Sequence, residues 1–165
     1  MVGGEKLISM KGSLKVVELL NKALADELAA INQYMVHSEM CHNWGYDFLH
    51  KEIEKRAIQE MKHAEKLIER ILFLKGNPIV SKLSPIKIGK NVKEMMEVDL
   101  KAEEAAVKDY NDFAKICVEE NDNISKNLFE ELLKDEEGHV DWIENQIEQI
   151  EQMGLSVYLL KATKV

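Results

Sequence analysis

The chain has 165 residues, enough for one domain with its own core and no disulfide framework. Its 30 Asp and Glu against 22 Lys and Arg give a net charge of -8, which excludes nucleic acid as the main ligand, because phosphate binding needs the opposite balance. A hydrophobic content of 45% excludes a disordered chain, and no apolar run nears the roughly 20 residues that cross a bilayer. Two cysteines, Cys41 and Cys117, without CxxC spacing point to a cytoplasmic protein.

The start, MVGGEKLIS, lacks a cleavable apolar region, so residues 1–9 are expected to be a flexible extension ahead of one folded domain, residues 10–165. From Leu14 to about Trp44 the chain is rich in Leu, Ala, Glu, Lys and Met. Leu20, Leu24, Ile31, Tyr34 and Ser38 recur there at helical spacing, with Gly45 as a stop. A second helix runs from Tyr46 or Asp47 to Leu74 and ends at Lys75-Gly76-Asn77-Pro78. The stretch to Lys90 holds both prolines and no clean period. It is too long for a hairpin loop and long enough to traverse a bundle.

Asn91 with Glu94 forms a capping box that opens a third helix, which continues to about Glu119. Asn121-Asp122-Asn123 interrupts the pattern. A fourth helix follows to about Met153, carrying Phe129, Leu132, Ile143, Ile147 and Ile150; Gly138 within it invites a packing explanation. After Gly154, Ser156 is placed to cap a short fifth helix, Val157 to Ala162. The fold class is therefore all-α: two long hairpins joined by one long crossover, with a short C-terminal helix.

The hairpins repeat at an offset of 76 residues: Glu27 falls on Glu103, Tyr34 on Tyr110, Cys41 on Cys117, Glu60 on Glu136 and His63 on His139. In each half a Glu-x-x-His follows its upstream Glu at a separation of 33 residues, which chance rarely duplicates. A third such pair, Glu39 and His42, has Lys115 and Val118 at the offset and points off the core face, as surface or subunit contact. Glu60 lies seven residues from Ile53 and Leu67, and Glu136 seven from Phe129 and Ile143. Glu27 and Glu103 have the same heptad relation to Leu20, Tyr34, Met96 and Tyr110. Four glutamates and two histidines thus point into one core. Unpaired, each ion would cost several kcal/mol there. Two divalent ions balance four carboxylates and two neutral imidazoles, and an oxygen-rich donor set suits iron or manganese better than structural zinc.

Tyr34 and Tyr110 admit two readings, core packing with a hydroxyl hydrogen bond or a role in holding a carboxylate or passing an electron to bound oxygen. Cys41 and Cys117 read as small buried hydrophobes.

The stretches NKALADELAAINQY (21–34), EMKHAEKLIERILFLKGNP (60–78), DLKAEE (99–104) and DEEGHVDWIE (135–144) resemble the bacterioferritin branch of the ferritin-like di-iron proteins. The resemblance implies a ferritin-like four-helix bundle and two iron ions per subunit. Glu27 and His63 would be terminal ligands of one, Glu103 and His139 of the other, and Glu60 and Glu136 would bridge. It further implies ferroxidase activity with O2 or H2O2, a ferric mineral stored in a 24-subunit shell built from dimers, and haem b shared by a subunit pair through Met61 of each. A ferredoxin-like donor would supply electrons through that haem. An accessory iron site of some relatives needs a histidine shortly before the Glu-x-x-His; KEIEKRAIQ has none. The competing class is a di-iron oxidase or peroxide-reducing enzyme without storage, which would need a substrate pocket where this chain is expected to carry bulky apolar residues.

Overall fold

The computed structural model of the protein describes residues 12–163; the expected extension, residues 1–9, lies outside them. Five helices form: α1 (Leu14–Asn43), α2 (Asp47–Phe73), α3 (Val92–Glu119), α4 (Asn123–Met153) and α5 (Leu155–Ala162). The four long ones run 27 to 31 residues, so each spans about 40–45 Å. The α1–α2 turn uses Gly45 at φ +77°, and the α3–α4 turn uses Asn121 at φ +57°, so both tight reversals place a tolerant residue in left-handed geometry.

Each hairpin packs along its length, and α1 then meets α3 while α2 meets α4. The apolar core is split. One cluster gathers Val16, Leu20, Leu24, Leu67, Ile71, Phe113, Phe129 and Leu132. The other gathers Cys41, Leu49, Ile53, Val92, Met95, Ile143, Ile150 and, from α5, Tyr158 and Ala162. Since α2 ends in the first cluster and α3 begins in the second, the crossover traverses the bundle, as its length predicts.

The crossover is fastened along α1 as it goes. Ile79 N donates to Asn21 Oδ1 at 2.7 Å, Ser84 N to Ala25 O at 3.2 Å, Lys87 N to Gln33 Oε1 at 3.0 Å and Gly89 N to His37 Nε2 at 3.0 Å. Behind the last two anchors stands Asp99 of α3, fully buried, which accepts from Gln33 Nε2 at 2.7 Å and faces His37 Nδ1 at 3.0 Å. Because His37 Nε2 accepts from Gly89, its hydrogen sits on Nδ1 and is directed at the carboxylate. Four amides of a segment without helix or strand are thereby bonded to α1, the last two by the buried side chains of Gln33 and His37.

Three local expectations change. The fifth helix starts at Leu155 with Gly154 in the capping position, leaving Ser156 inside the first turn and without a capping bond. Glu94 reaches back to the backbone N of Lys90 at 2.9 Å rather than to that of Asn91, while it accepts from Asn91 Nδ2 at 3.1 Å and Asn91 Oδ1 accepts from Glu94 N at 3.0 Å. Gly138 has no packing reason, since a methyl group there would meet nothing within 4 Å.

Two glycine substitutions should therefore act in opposite directions. Gly138→Ala adds helix propensity without a clash and should stabilise by about 1 kcal/mol, raising the thermal midpoint by roughly 2–4 °C. Gly89→Ala would place its methyl 2.3 Å from the Met95 backbone nitrogen and should cost about 1–3 kcal/mol. Thermal unfolding of both variants checks the pair.

Candidate metal centre

The six acids and histidines singled out by the repeat meet between the two apolar clusters. Glu27, Glu60, His63, Glu103, Glu136 and His139 are all buried to 4% exposure or less. They get there by phase alone: each helix brings one glutamate to the same height, and the three-residue step in α2 and α4 turns His63 and His139 toward the same point. The imidazoles face one another nearly parallel, with ring centroids 6.2 Å apart and planes 16° from coplanar.

The donors fall into two overlapping sets. Glu27, Glu60, His63 and Glu136 converge on one position, and Glu60, Glu103, Glu136 and His139 on a second, so Glu60 and Glu136 belong to both. His63 Nδ1 lies 2.9 Å from Glu60 Oε2, 3.1 Å from Glu136 Oε1 and 3.6 Å from Glu27 Oε1. His139 Nδ1 lies 2.9 Å from Glu136 Oε2, 3.0 Å from Glu60 Oε1 and 3.4 Å from Glu103 Oε2. Despite those separations, Glu60 Oε1 and Oε2, His63 Nδ1, Glu136 Oε1 and His139 Nδ1 make no aligned hydrogen bond. Buried polar atoms normally do. Atoms that crowd together without aiming at each other are arranged around a shared point, as donors to a cation are, and oxygen donors with one nitrogen per position fit iron or manganese.

With protons as the only positive charges, the cluster is under electrostatic tension. Burial, joined by repulsion from Glu60 and Glu136, raises Glu27 well above the usual carboxylate range, and Glu103 likewise; contact with His63 and His139 opposes this only in part. Burial also disfavours charge on the imidazoles, but contacts with Glu136, Glu27 and Glu60 outweigh it at His63 and hold its pKa well above the ordinary value. At His139 contacts with Glu103, Glu136 and Glu60 push it up to about 11. Burial acts against Glu136 as well, yet the two imidazoles beside it bring its carboxyl down.

Tyr34 donates its hydroxyl to Glu103, and Tyr110 donates to Glu27. The bonds cross: each tyrosine holds the glutamate of the opposite hairpin, not the one two turns away on its own helix. Both phenols are fully buried, and burial together with the neighbouring carboxylates pushes their pKa values well up, so they serve as donors.

A cleft of about 210 Å³ opens onto Glu27, Glu60, Glu103 and Glu136 between α1 and α3, under Ser84 and Pro85 of the crossover. Its walls are Ala29, Ala30, Ala102, Ala105 and Ala106, so the bulky surroundings expected from the sequence do not hold on this side. The volume lies below the roughly 300–1,000 Å³ of organic-ligand pockets and suits water, small oxidants and hydrated cations.

Met61 stands apart from the six. It is 46% exposed on the outer side of α2, near the equally exposed Ile58 one turn before it, and Met35 of α1 is 53% exposed. Glu39 is exposed, and Cys41 and Cys117 are fully buried, with burial pushing their thiols up to about 12 and about 11. Two participants escaped the sequence analysis. Asp135 accepts from His63 Nε2 at 3.1 Å, and its counterpart at the repeat offset is Gln59, so the repeat gave no signal. Asp99 lies one turn before Glu103 on the same face, a spacing that was its available mark.

Residues 17–153 match the family model described as the Ferritin-like domain. A bacterioferritin of Brucella melitensis is 47% identical over 149 residues, 90% of this chain and 92% of its own. A bacterioferritin of Rhodobacter capsulatus is 47% identical over 145 residues, 88% and 90% of the two chains, and a bacterial ferritin of Synechocystis is 41% identical over 151 residues, 91% and 97%.

Because both imidazoles hold protons well above neutrality, a divalent cation entering the cluster must displace them. Calorimetric titration of the protein with cobalt(II) at pH 7, in buffers of different ionisation enthalpy, should show release of at least about two protons per subunit. Apparent affinity should rise as the pH is raised from 7 toward 9, since the competing protons of His63 and His139 are lost only at still higher pH. Binding without proton release would contradict the electrostatics described.

Proposed function

The chain belongs to the bacterioferritin family, and from that premise we propose that it stores iron, oxidising Fe(II) to Fe(III) at the six-residue cluster within each subunit. The observation that carries this reading is the pair of four-donor sets sharing Glu60 and Glu136, with five inward atoms buried and without aligned partners. In it Glu27 and His63 take one ferrous ion, Glu103 and His139 the other, and Glu60 and Glu136 hold both. Two Fe(II) substrates side by side supply two electrons to O2 or H2O2 together, which one ion cannot do in a single step.

The protein's own contribution is placement and charge. Four carboxylates favour the harder, more charged Fe(III), so the ligand set itself draws the oxidation forward. Tyr34 and Tyr110 fix the terminal glutamates from across the bundle by hydroxyl donation; Tyr34 is assigned a role in the reaction by holding Glu103. The alanine-walled cleft admits ions and oxidant and is smaller than the usual pocket for an organic substrate, which disfavours an oxygenase.

Storage requires enclosure, and the reading assigns a shell of 24 copies assembled from dimers in the cytoplasm. Among the described residues no helix is long and apolar enough to cross a membrane. Met61 would hold haem b at a subunit pair: its half-exposed thioether is a soft ligand for haem iron, and Met35 and Ile58 offer apolar surface on the same hairpin. When bound, the haem supplies one-electron transfer, here from a ferredoxin-like donor toward the stored mineral.

Glu60→Gln with Glu136→Gln keeps volume and removes the shared charge. Fe(II) oxidation should fall by more than the roughly 10–100-fold typical of losing an outer partner, with particle mass unchanged. Oxidation at the parental rate, followed by ferric absorbance, would refute the assignment. Met61→Leu should abolish the Soret band of the purified protein and leave oxidation unaltered; retention of full haem would exclude Met61. Sedimentation separates the storage reading from a dimeric oxidase.

A further inference from the structure

The internal repeat makes the cluster a controlled comparison between two nearly equivalent positions. Each has one terminal glutamate, one histidine and the same two shared carboxylates. Each terminal glutamate accepts from one tyrosine hydroxyl. Those features cancel between the halves. What differs is the outer nitrogen of each imidazole.

His63 Nε2 is 3.1 Å from Asp135 Oδ2, and a carboxylate can only accept, so Nε2 carries a hydrogen and Nδ1, which faces the glutamates, is the nitrogen that gives up its proton and offers its lone pair to an incoming ion. His139 Nε2 is buried and has no hydrogen-bond partner. The residue standing where the repeat would place a second aspartate is Gln59. It lines one surface cleft together with His139, Asp135, Gly138 and Trp142, yet makes no bond to the ring. A carboxylate behind a ligating imidazole fixes the ring and raises the basicity of the nitrogen that binds the ion, and loss of such a partner typically weakens binding 10–100-fold.

We propose that the two positions are unequal: the one formed with Glu27 and His63 binds a divalent cation more tightly than the one formed with Glu103 and His139, and Asp135 against Gln59 sets the difference. This rests on the metal-centre reading above. Asp135 is a positioning residue, acting through His63, and Gln59 is the site where the symmetry is broken.

The test uses cobalt(II), which is redox-silent here, at one equivalent per subunit on the full chain, with occupancy at each position read from anomalous scattering in crystals. Working below saturation removes repulsion between two bound ions as a cause of preference. The parent should show the His63 position filled about tenfold or more over the His139 position. Asp135→Asn should bring the ratio close to one by weakening the first, and Gln59→Asp should do so by strengthening the second. Equal filling in the parent, or an unchanged preference in Asp135→Asn, would overturn the inequality and leave the metal centre standing. Absence of cobalt from both positions even at excess would overturn the metal centre and this inference together.

Discussion

Four carboxylates buried at one height of a helical bundle are the constraint on which the rest of this structure depends. No apolar packing offsets their desolvation, and two imidazolium groups do so only by taking on pKa values far from their own. Every larger feature serves that layer. Long helices are needed because the layer must sit far from both ends, and the core must divide into two clusters because a charged plane runs between them. The alanines along α1 and α3 thin the wall on one side of it.

The twofold relation between the hairpins is more than a shared pattern of residues. Tyr34 and Tyr110 bond across it, so each hairpin completes the other's donor set and neither holds its glutamate alone. The crossover does not share the symmetry. It is fastened to α1 through Asn21, Ala25, Gln33 and His37, and the last two reach α3 only by way of the buried Asp99. At the repeat offset Gln33 and His37 fall on Asp109 and Phe113, which cannot repeat that fastening on the second hairpin.

Much of this was legible in the residue order, for identifiable reasons. Periodicity placed all five helices because few glycines and two prolines left only a handful of breaks, and the heptad spacing of Glu60 and Glu136 from apolar neighbours gave their inward phase. The buried cluster of four glutamates and two histidines followed from that phase. Contacts between elements were not legible: which glutamate each tyrosine reaches depends on how two hairpins rotate against each other, and Asp135 is marked by no spacing of its own. Ser156 and Glu94 show the same limit at short range: the helix starts ahead of Ser156 and leaves it without a capping bond, and Glu94 takes the backbone amide of Lys90, one residue from the one its spacing points to. Gly138 shows it in reverse, a costly residue in a helix with open space around it.

The divided core bears on how the molecule opens. Helix ends that pack in separate apolar clusters are natural boundaries between cooperative units, each able to exchange its amides without the other. Between them lies a plane whose cohesion comes from charge compensation; a divalent ion in either donor set would tie three helices, and two ions together would tie all four. On the proposed reading, metal in that layer would couple two ends that the split core otherwise leaves as separate units.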